Sequence, residues 1–417
     1  MHHDAEVAYA RITADLEGII DAALAALAGE GDRQLVVNSS PLERSGVAGG
    51  GIGAAAESAA PTVTSVPGGT ELDNGLVSVV VDDRGLIVSL RAAGGREVVS
   101  PDRPVGLLQL HRDSPSQWDA WDLEQHYRAH TVDVDGVEEL SIRVEGDAAE
   151  VITTRSQGAS TYRQVVRLRG GSAAVELDVD IDWQERERML KLAMPFDVRA
   201  DDAVSETQFG HVRRSTHANT SWDDARFETV AHRWVHVGEP GFGVAVANDA
   251  TYGYDIRRDV AAGGRPTTTV RASLLRGPRY PDPDADLGEH RFRFTVRPGA
   301  GIPEAIADGY ALNLPERRRS GSRAVQPLVS AEGAVIESLT PARDGSGDLI
   351  VRLYEAHGAS REAQVLWRFA ASGVTAVDLL ERGERPTALT PFEGGARLSL
   401  RPFELVTLRV ARGVQLT

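Results

Sequence analysis

TYRQVVRLRGGSAAVELDVDIDW, residues 161–183, is the stretch that decides the fold. In its second arm Val175, Leu177, Val179, Ile181 and Trp183 alternate with Glu176, Asp178, Asp180 and Asp182. Successive strand side chains point to opposite faces, so this alternation predicts an antiparallel strand with one buried and one wet face. Gly170-Gly171 supplies the turn, and the acidic residues read as solvated surface rather than as a metal cluster. Residues 76–90 repeat the pattern around Asp83-Arg84-Gly85. Strand-like runs follow at 243–248, 267–275 and 291–296, then at 350–354, 363–369, 374–380, 396–400 and 405–410. Strands at this spacing without intervening helices indicate β-sandwiches.

Outside that region the pattern changes. Over residues 5–28, Ala8, Ile12, Leu16, Ile19, Ile20, Ala23 and Leu27 recur at helical spacing, with Glu6, Arg11, Asp15 and Asp21 off the stripe. Gly29 and Gly31 end this helix, and no second helix of comparable quality follows. Residues 35–37 read as a short strand, 49–60 as a Gly/Ala-rich surface segment, and 317–322 (RRRSGS) as a linker. The expectation is one helix followed by β-structure throughout.

At 417 residues the chain is long enough for about two to four domains. A formal charge of −16 argues against nucleic acid and anionic membrane as partners. With no cysteine, disulfides, thiolate metal sites and a cysteine nucleophile are excluded. Met1-His2-His3-Asp4 lacks the basic and apolar segments of a signal peptide, and no apolar run approaches membrane-spanning length, so a cytoplasmic location is expected.

Two stretches carry unusual chemistry. Residues 117–127, QWDAWDLEQHY, place Trp118-Asp119 and Trp121-Asp122 within five residues. Residues 210–234, GHVRRSTHANTSWDDARFETVAHRW, show no regular periodicity and concentrate His211, Arg213, His217, Asn219, Thr220 and Trp222. Indole faces stack on the C–H faces of sugar rings while carboxylates accept from hydroxyls, so both stretches suit carbohydrate recognition. The same residues would also serve as a sheet corner, with tryptophan in the core and aspartate in turns. Other motifs carry less. His2-His3-Asp4 lacks a distant third ligand. Residues 281–286, PDPDAD, lack the glycine and glutamate of a calcium loop. Gly49, Gly51 and Ala54 lack the following helix of a dinucleotide site. A catalytic carboxylate pair could be drawn from Asp119, Asp122, Asp223 or Asp224, but nothing selects one.

Five long motifs, LVVNSSPLERSGV (35–47), QWDAWDLEQHY, QFGHVRRSTHANTSWDDARFE, HRWVHVGEPGFGVAVANDATYGYD and LLRGPRYPDPDADLGEHRF, occur in order along nearly the whole chain. Together they resemble the C-terminal half of glycoside hydrolase family 38 α-mannosidases of the bacterial and cytosolic type. The resemblance implies a mainly β fold. Residues 1–32 would be the last helix of a three-helix bundle and 33–68 the remnant of a small β-domain. Residues 69–313 would form a galactose-mutarotase-like antiparallel supersandwich, 314–322 a linker and 323–417 a C-terminal β-sandwich. The family hydrolyses terminal α-mannosides with retention, using two carboxylates and a zinc ion. The nucleophile and metal ligands of that chemistry are expected in an α/β domain that this chain lacks, so no catalytic residue, metal ligand or cofactor is assigned here. The resemblance places Gln117, Trp118, Asp119, Trp121, Asp122, His211, Arg213, His217, Asn219, Thr220 and Trp222 at the lip of the mannoside cleft. It also implies a separately encoded catalytic half as partner, and an oligomer is compatible with it. The alternative is a stand-alone carbohydrate-binding protein that has lost catalysis. Two departures stand out: Ser215 occupies a position where the family has proline, and the Gly/Ala-rich run replaces ordered β-structure.

Overall fold

The computed structural model describes residues 2–54 and 56–413. It is mainly β, with a long N-terminal helix, and it divides into two compact units: residues 58–313, and residues 1–57 with 314–417.

The larger unit contains three sheets. A nine-stranded antiparallel sheet runs from the edge strand Gly210–Ser215 through Val175–Trp183 and Ser160–Arg169 to Glu139–Glu145. A six-stranded sheet is built from Leu107–Arg112 (β1), Thr131–Val134 (β2), Arg188–Phe196 (β3), Thr229–Val230 (β4), Gly253–Val260 (β5) and Pro266–Arg276 (β6), in the spatial order β4-β5-β6-β3-β1-β2. A four-stranded meander spans Thr62–Val66 to Ile87–Ala92. One apolar core lies within the unit, with Val175, Leu177, Val179, Ile181 and Trp183 from the nine-stranded sheet and Leu108, Leu190, Leu192 and Met194 from the six-stranded one. The period-2 face of residues 175–183 is thus buried as the alternation requires.

The opposite face of that strand differs from the expectation. Its carboxylates are ion-paired rather than simply hydrated. Asp178 is only 3% exposed, held by Arg167 at 3.1 Å and Arg291 at 3.2 Å, while Asp180 meets Arg163 at 3.0 Å. Arginines on neighbouring strands stand opposite the acidic row, and cross-strand pairs of opposite charge stabilise a sheet.

The smaller unit holds the helix His2–Ala28 (α1), a three-stranded sheet and two four-stranded sheets packed as a sandwich on Val351, Leu353, Val365, Leu398 and Leu408. Only the C-terminal turns of α1 are anchored. Leu24 and Ala28 pack on Leu35, Val37, Ile52 and Val325, and Glu17 accepts two hydrogen bonds from Arg317 at 2.5 and 2.7 Å. Val7, Tyr9, Ile12, Leu16 and Ile19 remain exposed.

Four expectations need correction. Residues 317–322 are not a free linker, because Arg317–Gly321 is a strand in register with Arg33–Val37. Arginines can occupy a strand when alternate side chains reach an acidic helix face, as Arg317 does. Within the Gly/Ala-rich segment Ile52–Ala54 is the third strand of the same sheet; Ala55 lies outside the described residues. Thr62–Val66, assigned to the small β-domain, pairs with Gly69–Asp73 and belongs to the larger unit. Finally, β-structure is interrupted by the short helix Ser221–Ala225 (α2) and by Ile302–Asn313 (α3). In α3, Gly309 allows close packing: a Cβ there would sit 2.8 Å from Trp234 Cδ1.

Candidate functional site

The face of the six-stranded sheet turned away from the core is polar yet buried. Buried His111 on β1, Lys191 on β3, Asp255 on β5 and Arg271 on β6 share it with half-buried Gln109 on β1, as the registers Lys191↔Gln109 and Asp255↔Arg271 show. Arg271 pairs with Asp255 at 2.6 Å. Two loops cover this floor, residues 113–130 and 216–228, which overlap the stretches 117–127 and 210–234 singled out by composition.

The first loop folds back on itself. The Trp118 carbonyl accepts the N–H groups of Trp121 and Asp122, each at 2.8 Å, and Trp118 adopts φ +52°. A left-handed backbone in a bulky residue persists only where the surroundings enforce it. Here Arg276, at the end of β6, does so. Its guanidinium donates to the carbonyls of Asp119 at 3.2 Å and Asp122 at 2.8 Å, and pairs with buried Asp113 at 2.5 Å. The Asp119 carboxylate accepts the backbone N–H of Arg279 and, at 3.1 Å, that of Tyr280. Trp118 and Trp121 are left 63% exposed.

The second loop contains α2, where Thr220 and Asp223 form a capping box, an arrangement that satisfies two end donors reciprocally. His217 Nδ1 lies 4.0 Å from Asp223 Oδ2. Trp222 projects at 75% exposure, and Asn219 is exposed beside it. The loops meet directly: Gln125 donates to Asp224 at 2.9 Å, and Arg128 to the Phe227 carbonyl at 2.7 Å.

Beneath them, Glu228 Oε1 accepts from Tyr127 at 2.5 Å and from Lys191 at 2.6 Å. Arg128 pairs with Asp255 at 2.8 Å. Burial works against charge throughout this cluster. It lowers the Lys191 ammonium below its ordinary range and raises Glu228, with the Lys191 charge opposing the latter shift. Burial also pushes Asp255 up, but Arg271, Lys191 and Arg128 together bring it below the usual carboxylate value. His111 is held down to about 4, by burial first and then by the charges of Lys191 and Arg271.

A family model described as the glycosyl hydrolases family 38 C-terminal domain matches residues 72–284, and a second, its C-terminal beta sandwich domain, matches 333–408. The chain belongs to glycosyl hydrolase family 38. Among curated relatives, human alpha-mannosidase 2C1 is 32% identical over 362 residues, covering 83% of this chain and 34% of its own length. The Saccharomyces cerevisiae alpha-mannosidase is 25% identical over 373 residues, covering 81% and 33%. This chain therefore spans about a third of the curated relatives it matches. The crystal structure of an Enterococcus faecalis alpha-mannosidase shares the fold, with a TM-score of 0.65 at 15% identity over 88% of this chain and 46% of that one.

Against this family frame the sequence-predicted residues divide. Trp118, Asp119, Trp121 and Asp122 share one loop, with exposed Gln117 at its start. His217, Asn219, Thr220 and Trp222 share the loop it touches. Two do not belong with them. His211 lies on the strand Gly210–Ser215, paired with Asp202–Thr207, and its ring packs 5.8 Å from that of Trp234; Arg213 sits exposed on the same edge strand. Residues 210–215 are therefore regular structure, hidden from a period-based reading because an edge strand tolerates polar residues on both faces. Asp119 also differs in role, since its carboxylate is spent on backbone donors. The sequence reading missed Arg276, Lys191, Glu228 and Asp255. One signal was available: Lys191 is the only lysine in the sequence and stands inside an apolar run, MLKLAMPF.

Proposed function

We propose that the chain is the β-rich C-terminal portion of an α-mannosidase and that its two indole loops form a carbohydrate-facing lip. The single observation that carries this reading is the joining of Trp118, Trp121 and Trp222, all exposed, on two loops fastened to one polar sheet face. Exposed indoles on a rigid support suit stacking against sugar rings. Asp122 and Asn219, exposed on the same loops, supply groups for sugar hydroxyls.

The chemistry of glycoside cleavage is assigned elsewhere. Retaining hydrolysis needs two carboxyl groups facing one glycosidic bond, and Asp119 is already engaged by backbone. No group of three or more His, Asp or Glu converges as metal ligands among the described residues. An α/β catalytic domain would supply nucleophile, acid and metal, with this chain bracing the cleft from the cytoplasmic partner or polypeptide that carries it. The exposed apolar stripe of α1 supports such a packing partner, since patches of this kind mark interaction surfaces. Among the described residues no helix is long and apolar enough to cross a membrane. A stand-alone carbohydrate-binding role draws on the same lip.

Assay of a chromogenic α-mannoside with the purified chain, with and without zinc, tests the assignment. No turnover is expected; turnover abolished by Asp122→Asn or Asp224→Asn would overturn it.

A further inference from the structure

Of the 45 Lys and Arg residues, 44 are arginine and one is lysine (45 less Lys191). That single lysine is 0% exposed. Its ammonium lies 2.6 Å from Glu228 and 5.0 Å from the centre of the Tyr127 ring. The contacts around it have a repeating logic. Two adjacent residues of the first loop, Tyr127 and Arg128, meet two adjacent residues of the second, Phe227 and Glu228, over two floor residues, Lys191 and Asp255. Tyr127 donates to Glu228, Arg128 donates to the Phe227 carbonyl, Lys191 donates to Glu228, and Arg128 pairs with Asp255.

We propose that Tyr127-Arg128 and Phe227-Glu228 form a clasp fastening both indole loops to the six-stranded sheet, with Lys191 as the positioning residue. The groups that act on Glu228 belong to this assembly: Lys191 on β3, Asp255 on β5, and Tyr127 and Arg128 from the covering turn Gln125–Ala129, while Arg271 on β6 and His111 on β1 face Lys191 from the same floor. The amine explains why arginine does not replace this lysine. A compact ammonium fits between a carboxylate and an aromatic face, whereas a planar guanidinium with a five-donor fork needs more room and more partners. Neither loop has a regular element long enough to hold Trp118, Trp121 or Trp222 in place by itself, so the clasp sets where the indoles stand relative to one another.

The proposal rests on the reading above only for what the lip holds; the clasp itself is readable without sugar. Hydrogen exchange on the full chain is measured for the wild type, Lys191→Met, Glu228→Ala, the double variant and Lys191→Arg. Lys191→Met is expected to speed exchange at least tenfold in segments 116–127 and 216–228 together. The strands Ala148–Gln157 and Ser160–Arg169 should keep their protection, which shows that the unit remains folded. Glu228 is partly exposed, so Glu228→Ala gives the same pattern if Lys191→Met fails to fold. The double variant should be no worse than the worse single, because the Lys191–Glu228 contact is common to both while Glu228→Ala also removes the Tyr127 contact. Lys191→Arg should not restore protection. Unchanged exchange in segment 216–228, additive single effects, or full protection in Lys191→Arg would overturn the proposal. Calorimetry with methyl α-mannoside forms a separate arm. About tenfold weaker binding by Lys191→Met is expected, and a wild type that binds no sugar refutes the lip while exchange still decides the clasp.

Discussion

His111 makes the stability of the larger unit depend on pH in a way that can be calculated. Its ring is fully buried on β1, edge-on to Tyr127 at 5.1 Å, with Nδ1 3.0 Å from Thr131 Oγ1. Burial, then the charges of Lys191 and Arg271, lower its pKa from 6.5 to about 4, against a smaller pull from Asp255. The folded ring is therefore neutral where the unfolded one takes up a proton. Between pH 6.5 and about 4 the unfolded state binds more protons, so stability falls as pH falls through this window and is insensitive to His111 above it. At about 1.4 kcal/mol per unit, the lowering is worth on the order of 3 kcal/mol at full extent. Five of the six tryptophans, at 118, 121, 183, 222 and 234, lie in this unit, so intrinsic fluorescence follows its unfolding. Urea titrations at half-unit pH steps should show the wild type losing about 3 kcal/mol more than His111→Asn between pH 6.5 and 4. Glu228 and Asp255 titrate in both proteins and largely cancel in the comparison. Parallel pH profiles for the two proteins would refute the assignment of a neutral, desolvated imidazole.

Three further outcomes are expected. Arg276→Met removes the guanidinium that holds two carbonyls of the Trp118 loop and strands buried Asp113, so a loss of about 3 kcal/mol is expected, read by the same urea titration at pH 7. Trp222→Ala touches an exposed side chain and should change stability by less than about 0.5 kcal/mol, while weakening methyl α-mannoside binding in calorimetry. Gly85→Ala should cost more than about 2 kcal/mol in thermal unfolding, because Gly85 has φ +72° and an added Cβ would lie 2.0 Å from Thr153 Oγ1.

The strands around residues 161–183 were legible because strict alternation leaves one solution, a half-buried antiparallel arm. The helix α1 was legible for the same reason at period 3.6, although only its last turns turned out to be buried. What stayed hidden depends on contacts distant in sequence. Arg317–Gly321 looks like a solvated basic linker until Glu17, 300 residues away, is seen to receive Arg317. The helix α3 carries Gly309 in its interior, which lowers helix propensity, yet it forms because Gly309 lets it approach Trp234 and Arg233 lies over the Tyr310 ring at 4.0 Å. At the lip, composition found both loops, since indoles and carboxylates are conspicuous. It could not show that Asp119 braces the Arg279–Tyr280 backbone, nor that His211 turns toward Trp234. The clasp residues were hidden more deeply, because Lys191 sits in the otherwise apolar run Met189–Phe196 and its partner Glu228 is 37 residues away.

The most direct measurement is calorimetric titration of methyl α-mannoside into the full chain, repeated with Trp118→Ala, Trp121→Ala and Trp222→Ala. Weak saturable binding that is lost on removing indoles from either loop is the predicted result. Absence of binding at high sugar concentration, or binding indifferent to all three substitutions, would contradict the carbohydrate-facing lip.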